Sequence, residues 1–316
     1  RGSGKTVLLC DLRDRAIELG WKAVVVSAGP RLSHDLMEQI QDQLTFSSAS
    51  LGVNVGIASA KLDISSSEMS LRAKLKQITQ GSKGLFIAVD EVQDAPVEEM
   101  RIIASTVQLL IGEKVNIALA FAGLPSGVMD LINGKALTFL RRAVPEDLAP
   151  INQIEIALSL SDSFNATGLS LDGDLLSKAA RATKGYAYLV QLVGYSIWQR
   201  ANLHREKSTL VSERDVDEGI LLAEARFHDV VHEPEISGLS RNEINYLYAM
   251  CEDSRQSKTS DLAKRLGKKT SELSSVRAKL LSREVIQAPQ RGYVQFAVPD
   301  LDEYLKDNRD EILSRY

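Results

Sequence analysis

Gly4-Lys5-Thr6, followed at once by the apolar Val7-Leu8-Leu9, constrains this chain more than any other feature. It is the second half of the pattern GxxxxGK[ST], in which a glycine-rich turn opens a helix. Backbone N–H groups at such a helix end face a polyphosphate, and the lysine adds a fixed positive charge. Gly2, Ser3, Gly4, Lys5, Thr6 and Val7 are therefore the candidate nucleotide-binding residues, with the Thr6 hydroxyl the expected Mg²⁺ ligand. The first glycine of the pattern and a strand that holds the loop are expected ahead of Arg1.

Downstream, helical and strand patterns alternate. Thr6–Leu19 reads as a helix closed by Gly20, Lys22–Ser27 as a short β-branched strand, and Leu32–Leu44 and Ser65–Ile78 as amphipathic helices. Leu85–Val89 is continuously apolar, as a strand covered on both faces should be. Val97–Ile111 follows as a helix, Asn116–Ala122 as a buried strand, and Ile151–Ile156 as a last strand. This alternation predicts an α/β fold with a doubly wound parallel sheet over residues 1–157. From 158 to 232 only helices are expected, the last capped by Ser212 and closed before Pro234. Residues 238–316 give three helices and a hairpin turning at Gln290-Arg291-Gly292, the pattern of a winged helix-turn-helix.

A chain of 316 residues is long enough for two or three domains. Its net charge of −4 excludes a globally basic nucleic-acid coat but permits a local basic patch. Cys10 and Cys251 lack metal-like spacing and suit a reducing cytoplasm. The most apolar run, Val115–Leu124, is too short to span a bilayer and is stopped by Pro125, so no membrane partner is expected.

The second anchor is Asp90-Glu91, at the end of the apolar strand. Acids at a strand end are often merely solvated, but here they pair with a phosphate loop upstream. Asp90 is the expected partner of Mg²⁺, and Glu91 the expected general base that polarises the attacking water.

With these residues the chain resembles the ATPase core of the AAA+ class and its signalling-ATPase relatives. Asn116–Pro125 is similar to the strand carrying the γ-phosphate sensor, and Leu140-Arg141-Arg142 to the place of the arginine finger. Thr183–Gly194 looks like the lid helix of ATPases related to archaeal ATPases and replication initiators, which also carry a C-terminal winged helix. The resemblance implies ATP as the nucleotide, hydrolysis of its phosphoric anhydride, and ATP-dependent homo-oligomers if a finger is present. Two departures stand out. The sensor strand ends in Ala122-Gly123, leaving Ser126 as the nearest hydroxyl, and Tyr188 stands where the lid would present an arginine, with Lys184 nearby. Both remove groups that would sense the γ-phosphate, which implies slow turnover or a switch that holds nucleotide.

Other features carry two readings each. Arg141 and Arg142 are either fingers, with Arg142 ahead on spacing, or surface cations near a helix end. Tyr186, Tyr188, Tyr195 and Trp198 form a base-stacking platform or, as the steps from Tyr188 through Leu192 to Tyr195 favour, one packed helix face. From Lys258 to Arg291 nine basic residues face three acids. Lys268, Lys269, Ser274, Arg277, Lys279 and Arg291 are the candidate contacts to double-stranded DNA, the alternative being a winged helix that binds protein. His34, His204, His228 and His232 read as surface or packing residues.

Overall fold

The computed structural model describes residue 2 and residues 4–49, 64–133, 140–206 and 208–315. They form two compact units, Gly4–Asp147 and Leu148–Tyr316, the second joined by residues 1–3.

In the first unit helix α1 (Lys5–Glu18) precedes strand β1 (Lys22–Ser27). Helices α2 (Leu32–Ala49) and α3 (Ile64–Thr79) lead to β2 (Leu85–Asp90), and α4 (Val97–Gly112) leads to β3 (Ile117–Phe121). Helix α5 (Pro125–Asn133) follows. The strands are parallel in the order β1-β2-β3, with Ser27 opposite Asp90 and Val89 opposite Phe121. A parallel sheet needs a crossover between strands, and the helices supply it. Helix α1 packs on β1 and β2, while α2, α3 and α4 pack against one another. Leu85, Ile87 and Val89 are fully buried, joined in one core by Leu36, Leu75, Ile103 and Val107. Each such side chain contributes roughly 1.5–3 kcal/mol of burial, so this sheet is a stiff frame for whatever follows its strand ends.

The second unit begins with a correction. Ile151–Ile156, expected as a strand, enters helix α6 (Gln153–Ala166). Asn152 caps it by accepting from the Ile154 N–H at 2.8 Å. Ile156, Leu160 and Phe164 then recur every four residues on its buried face, a helical period that a short apolar window hides. Helices α7 (Gly173–Ala182), α8 (Ala187–Asn202) and α9 (Glu213–Phe227) complete this part. Gly219 lets α9 approach α8, since a Cβ there would sit 2.7 Å from the Ile197 Cα. The chain does not break at His232: α9 runs on through a π-helical turn at His228–His232 into a short helix α10 (Glu233–Ile236). Pro234 is tolerated because it lies in the first turn of α10.

Helices α11 (Arg241–Met250), α12 (Thr259–Arg265) and α13 (Ser274–Ser282) come next. Strands β4 (Ser257–Lys258), β5 (Ile286–Gln287) and β6 (Tyr293–Phe296) form an antiparallel sheet in the order β4-β6-β5. Three helices with a β5–β6 hairpin make a winged helix-turn-helix, closed by α14 (Leu301–Asp307) and α15 (Arg309–Ser314). Helix α13 starts at Ser274 and not near Ser271, because Glu272 instead accepts from the Lys269 N–H at 2.6 Å and holds a turn. One hydrophobic cluster runs from Ile156 on α6 through Phe227 to Leu305 and Ile312, so the helical part and the winged helix share a core. Among the described residues no helix is long and apolar enough to cross a membrane.

Candidate nucleotide site

Gly4 takes φ +91°, a left-handed conformation that a glycine adopts freely, and from there the chain enters α1. Its carbonyl accepts from the Leu8 N–H at 2.9 Å. No side chain caps this helix and no acid lies in its first turn, so its end remains positive. Lys5 is half-buried there, while Thr6 and Val7 are exposed. Gly2 groups with the C-terminal unit, where its carbonyl accepts from the Tyr188 N–H at 3.1 Å. Ser3 lies outside the described residues.

The two sequence anchors meet. The Thr6 hydroxyl donates to Asp90 Oδ2 at 2.5 Å, across 84 positions of chain. Asp90 ends β2 and is 5 % exposed, and its other oxygen accepts from the Glu91 N–H at 2.9 Å. A buried carboxylate beside a hydroxyl gives two hard oxygens side by side, the donor type Mg²⁺ takes. The residues present therefore fit that ion, and Thr6 and Asp90 are the ones that would hold it.

Glu91 is left-handed, with φ 53° and ψ 46°. For a residue with a Cβ this costs on the order of 1–3 kcal/mol and persists only where neighbours enforce it. Here the backbone on both sides is tied. The Ala28 N–H donates to the Asp90 carbonyl at 2.7 Å and the Asp94 N–H to the Glu91 carbonyl at 2.8 Å. The Glu91 carboxylate accepts from Gln93 Nε2 at 2.6 Å. Gln93 went unnoticed in the sequence, although a polar side chain two places after an acidic strand end was a visible signal.

After β3 the backbone of Ala122 is fully used, its N–H donating to Val89 at 2.9 Å and its carbonyl accepting from Val92 at 3.0 Å. Ser126 falls in the first turn of α5, and its side chain lies outside the described set. Arg141 and Arg142 occupy a 3-10 turn at residues 140–142 and are exposed. Arg141 Nε donates to the Ile132 carbonyl at 3.3 Å, and neither arginine has a described bond to Thr6, Asp90 or Glu91.

In the C-terminal unit Tyr186 and Tyr188 pack on Phe227, with ring centroids 5.7 and 6.2 Å away. The packed face does not extend to Tyr195, which is 53 % exposed and stacks on Trp198. Lys184, also left-handed, pairs with Asp300. His34 is not isolated, since its Nδ1 lies 3.7 Å from Asp35 and 3.9 Å from Glu38 on the exposed side of α2. His232 is fully buried, with Nε2 2.7 Å from the Pro299 carbonyl, and burial pushes its pKa down to about 4.

On the winged helix Lys268, Lys269, Ser274, Lys279 and Arg291 are exposed, while Arg277 is half-buried with its Nε enclosed. Two other cations of the stretch are engaged. Arg265 binds Asp253 and the Ala249 carbonyl, and Arg283 donates to the Ser237 and Gly238 carbonyls.

A family described as "Domain of unknown function (DUF8462)" matches residues 229–305. No curated protein matches the chain. Among solved structures, the Aeropyrum pernix ORC2 protein in its ADP form is similar at 14% identity and a TM-score of 0.59, covering 99% of this chain and 85% of that one. The Aeropyrum pernix ORC1 protein in complex with DNA matches at 17% identity and a TM-score of 0.46, covering 99% and 86%. The Thermotoga maritima RuvB Holliday junction branch migration motor matches at 13% and 0.41, covering 97% and 95%. The ORC2 likeness spans nearly the whole chain and shows its fold: a parallel-sheet α/β unit continued by helices.

Proposed function

We propose that this chain is an ATP-binding, slowly hydrolysing ATPase whose nucleotide state governs assembly and the engagement of double-stranded DNA by its winged helix. The observation that carries the reading is the Thr6–Asp90 hydrogen bond, which joins the start of α1 to the end of β2. The N–H groups at the start of α1 face the phosphates, and Lys5 adds charge to them. Mg²⁺, held by Thr6 and Asp90, would neutralise charge on the phosphate oxygens. Glu91 accepts the proton of the attacking water. Arg141 and Arg142, exposed and outside that cluster, would serve a neighbouring copy. That the ORC2 relative was captured with ADP favours an adenine nucleotide here. Slow turnover follows from Ala122 and Tyr188, neither of which offers a charged group to the γ-phosphate. In this reading residues 1–157 bind nucleotide, 158–232 form the lid and 238–316 the DNA-binding part.

A second reading, a nucleotide switch whose winged helix binds protein, draws on the engagement of Arg265 and Arg283 within the fold and on the partial burial of Arg277. The experiment that separates the two is ATP turnover with and without duplex DNA, beside Glu91→Gln and a Lys268/Lys269/Arg277 charge-removal variant. Turnover that rises with DNA, and loses that response without the basic residues, upholds the first. Tight ATP binding with no response to DNA overturns it in favour of the second.

A further inference from the structure

Gln93 lies in the 3-10 turn Val92–Asp94 that follows β2. Its carboxamide spans two elements: Nε2 donates to Glu91 Oε2 at 2.6 Å, and Oε1 accepts from the Leu124 N–H at 3.0 Å. A carboxylate can only accept and a backbone N–H can only donate, so this amide has one satisfied orientation. The loop after β3 is shaped around it. A Cβ on Gly123 would stand 2.7 Å from Gln93 Oε1 and 2.6 Å from Val92 Cγ2, and one on Gly127 would stand 2.6 Å from Gln93 Cβ. Strand β3 runs into Ala122-Gly123 and sends no polar side chain of its own toward Glu91. Gln93 supplies that link from the turn after β2.

We infer that Gln93 is a positioning residue for hydrolysis: it orients the Glu91 carboxylate and ties that orientation to the loop 122–124 ahead of α5. The inference rests on Glu91 being the general base. Gln93 touches no reacting atom and acts through Glu91 alone. A displacement of the Leu124 N–H is thereby passed to the base through one rigid amide, which makes up for the missing polar residue at the end of β3.

The test is ATP hydrolysis at one pH, with nucleotide affinity and Tm measured on the same samples, for wild type, Glu91→Gln, Gln93→Met and Gln93→Glu. Gln93→Met should lower kcat ~10-fold while KM for ATP stays within ~3-fold, the signature of a group acting only in the transition state. Gln93→Glu keeps an acceptor for Leu124 but sets a second acceptor against Glu91 in place of the donor, so it should lower kcat at least as far with KM again within ~3-fold. A merely structural role would lower thermal stability and leave the kcat of the folded protein in place. If Glu91→Gln stops turnover while both Gln93 variants keep the wild-type kcat, the inference is overturned alone. If Glu91→Gln hydrolyses as fast as wild type, the base assignment falls, and the role of Gln93 falls with it.

Discussion

Each unit buries carboxylates, and their partners differ in kind. In the C-terminal unit Asp215 and Glu243 close capping boxes with Ser212 and Ser240, three residues upstream. Burial opposes their ionisation, but the serine N–H and hydroxyl bonds outweigh it and hold both below the usual carboxylate range. In the N-terminal unit Asp90 is equally buried, yet the side chain it binds is Thr6, 84 positions away on another element. A carboxylate that satisfies the turn next to it stabilises a helix end. One that meets a hydroxyl from a distant phosphate-type loop, beside a left-handed glutamate, leaves no helix end satisfied. The contrast separates acids that cap the turn beside them from acids that join distant elements, as the proposed site requires.

That contrast can be broken most sharply at Glu91. Glu91→Gln should cut ATP turnover by ~100-fold or more, as loss of a general base does, with nucleotide affinity nearly unchanged in a fluorescent-nucleotide titration. Next come the paired substitutions Asp90→Asn and Glu243→Gln. The first should weaken Mg²⁺-dependent ATP binding ~10- to 100-fold with a small change in Tm. The second should cost about 1 kcal/mol of stability, as a lost cap does, with ATP binding intact. Equal effects of the two on both measurements would erase the distinction.

A smaller effect probes what the C-terminal unit offers outside its core. Removing the charges of Lys268, Lys269 and Arg291 should weaken duplex binding. It should also flatten the plot of log affinity against log salt by about 0.9 for each phosphate no longer neutralised. An unchanged slope in fluorescence anisotropy would place any DNA contact elsewhere.

Outside the candidate site lies a pH dependence of stability. His232 is depressed from its ordinary 6.5 to about 4 by burial. The folded chain therefore keeps it neutral while the unfolded chain protonates it, and stability falls as pH drops from 6.5 towards 4. Asp215 and Glu243, held below their ordinary values, add stability above those values and lose it as pH falls through their folded values. Tm should thus decline on acidification, and His232→Gln should flatten the part between pH 6.5 and 4. A curve of the same shape in both proteins would remove His232 from the account.

Much of the candidate site was legible because its parts are local. Gly4-Lys5-Thr6 needs only a turn and a helix start, and Asp90-Glu91 needs only the end of an apolar run. The winged helix was legible for the same reason: Ser240, Gly267 and the turn at Gly292 punctuate short periodic stretches. Ile151–Ile156 was misread because six residues hold less than two helical turns, and the pattern through Leu160 and Phe164 emerges only over a longer window. The continuation of α9 past His232 was hidden by Pro234, which a first helical turn accepts.

By itself, the sequence determined most element types, the Gly4-Lys5-Thr6 entry into α1, the acidic strand end and the basic stretch, because each follows from neighbours a few residues apart. Only the tertiary structure decided which of those residues meet. The Thr6–Asp90 bond, the amide of Gln93 between Glu91 and Leu124, and the tethering of Arg265 and Arg283 all depend on how strands align and helices pack. A side chain's partner across dozens of positions is set by the register of β1, β2 and β3 and by the core beneath them, which no local pattern encodes.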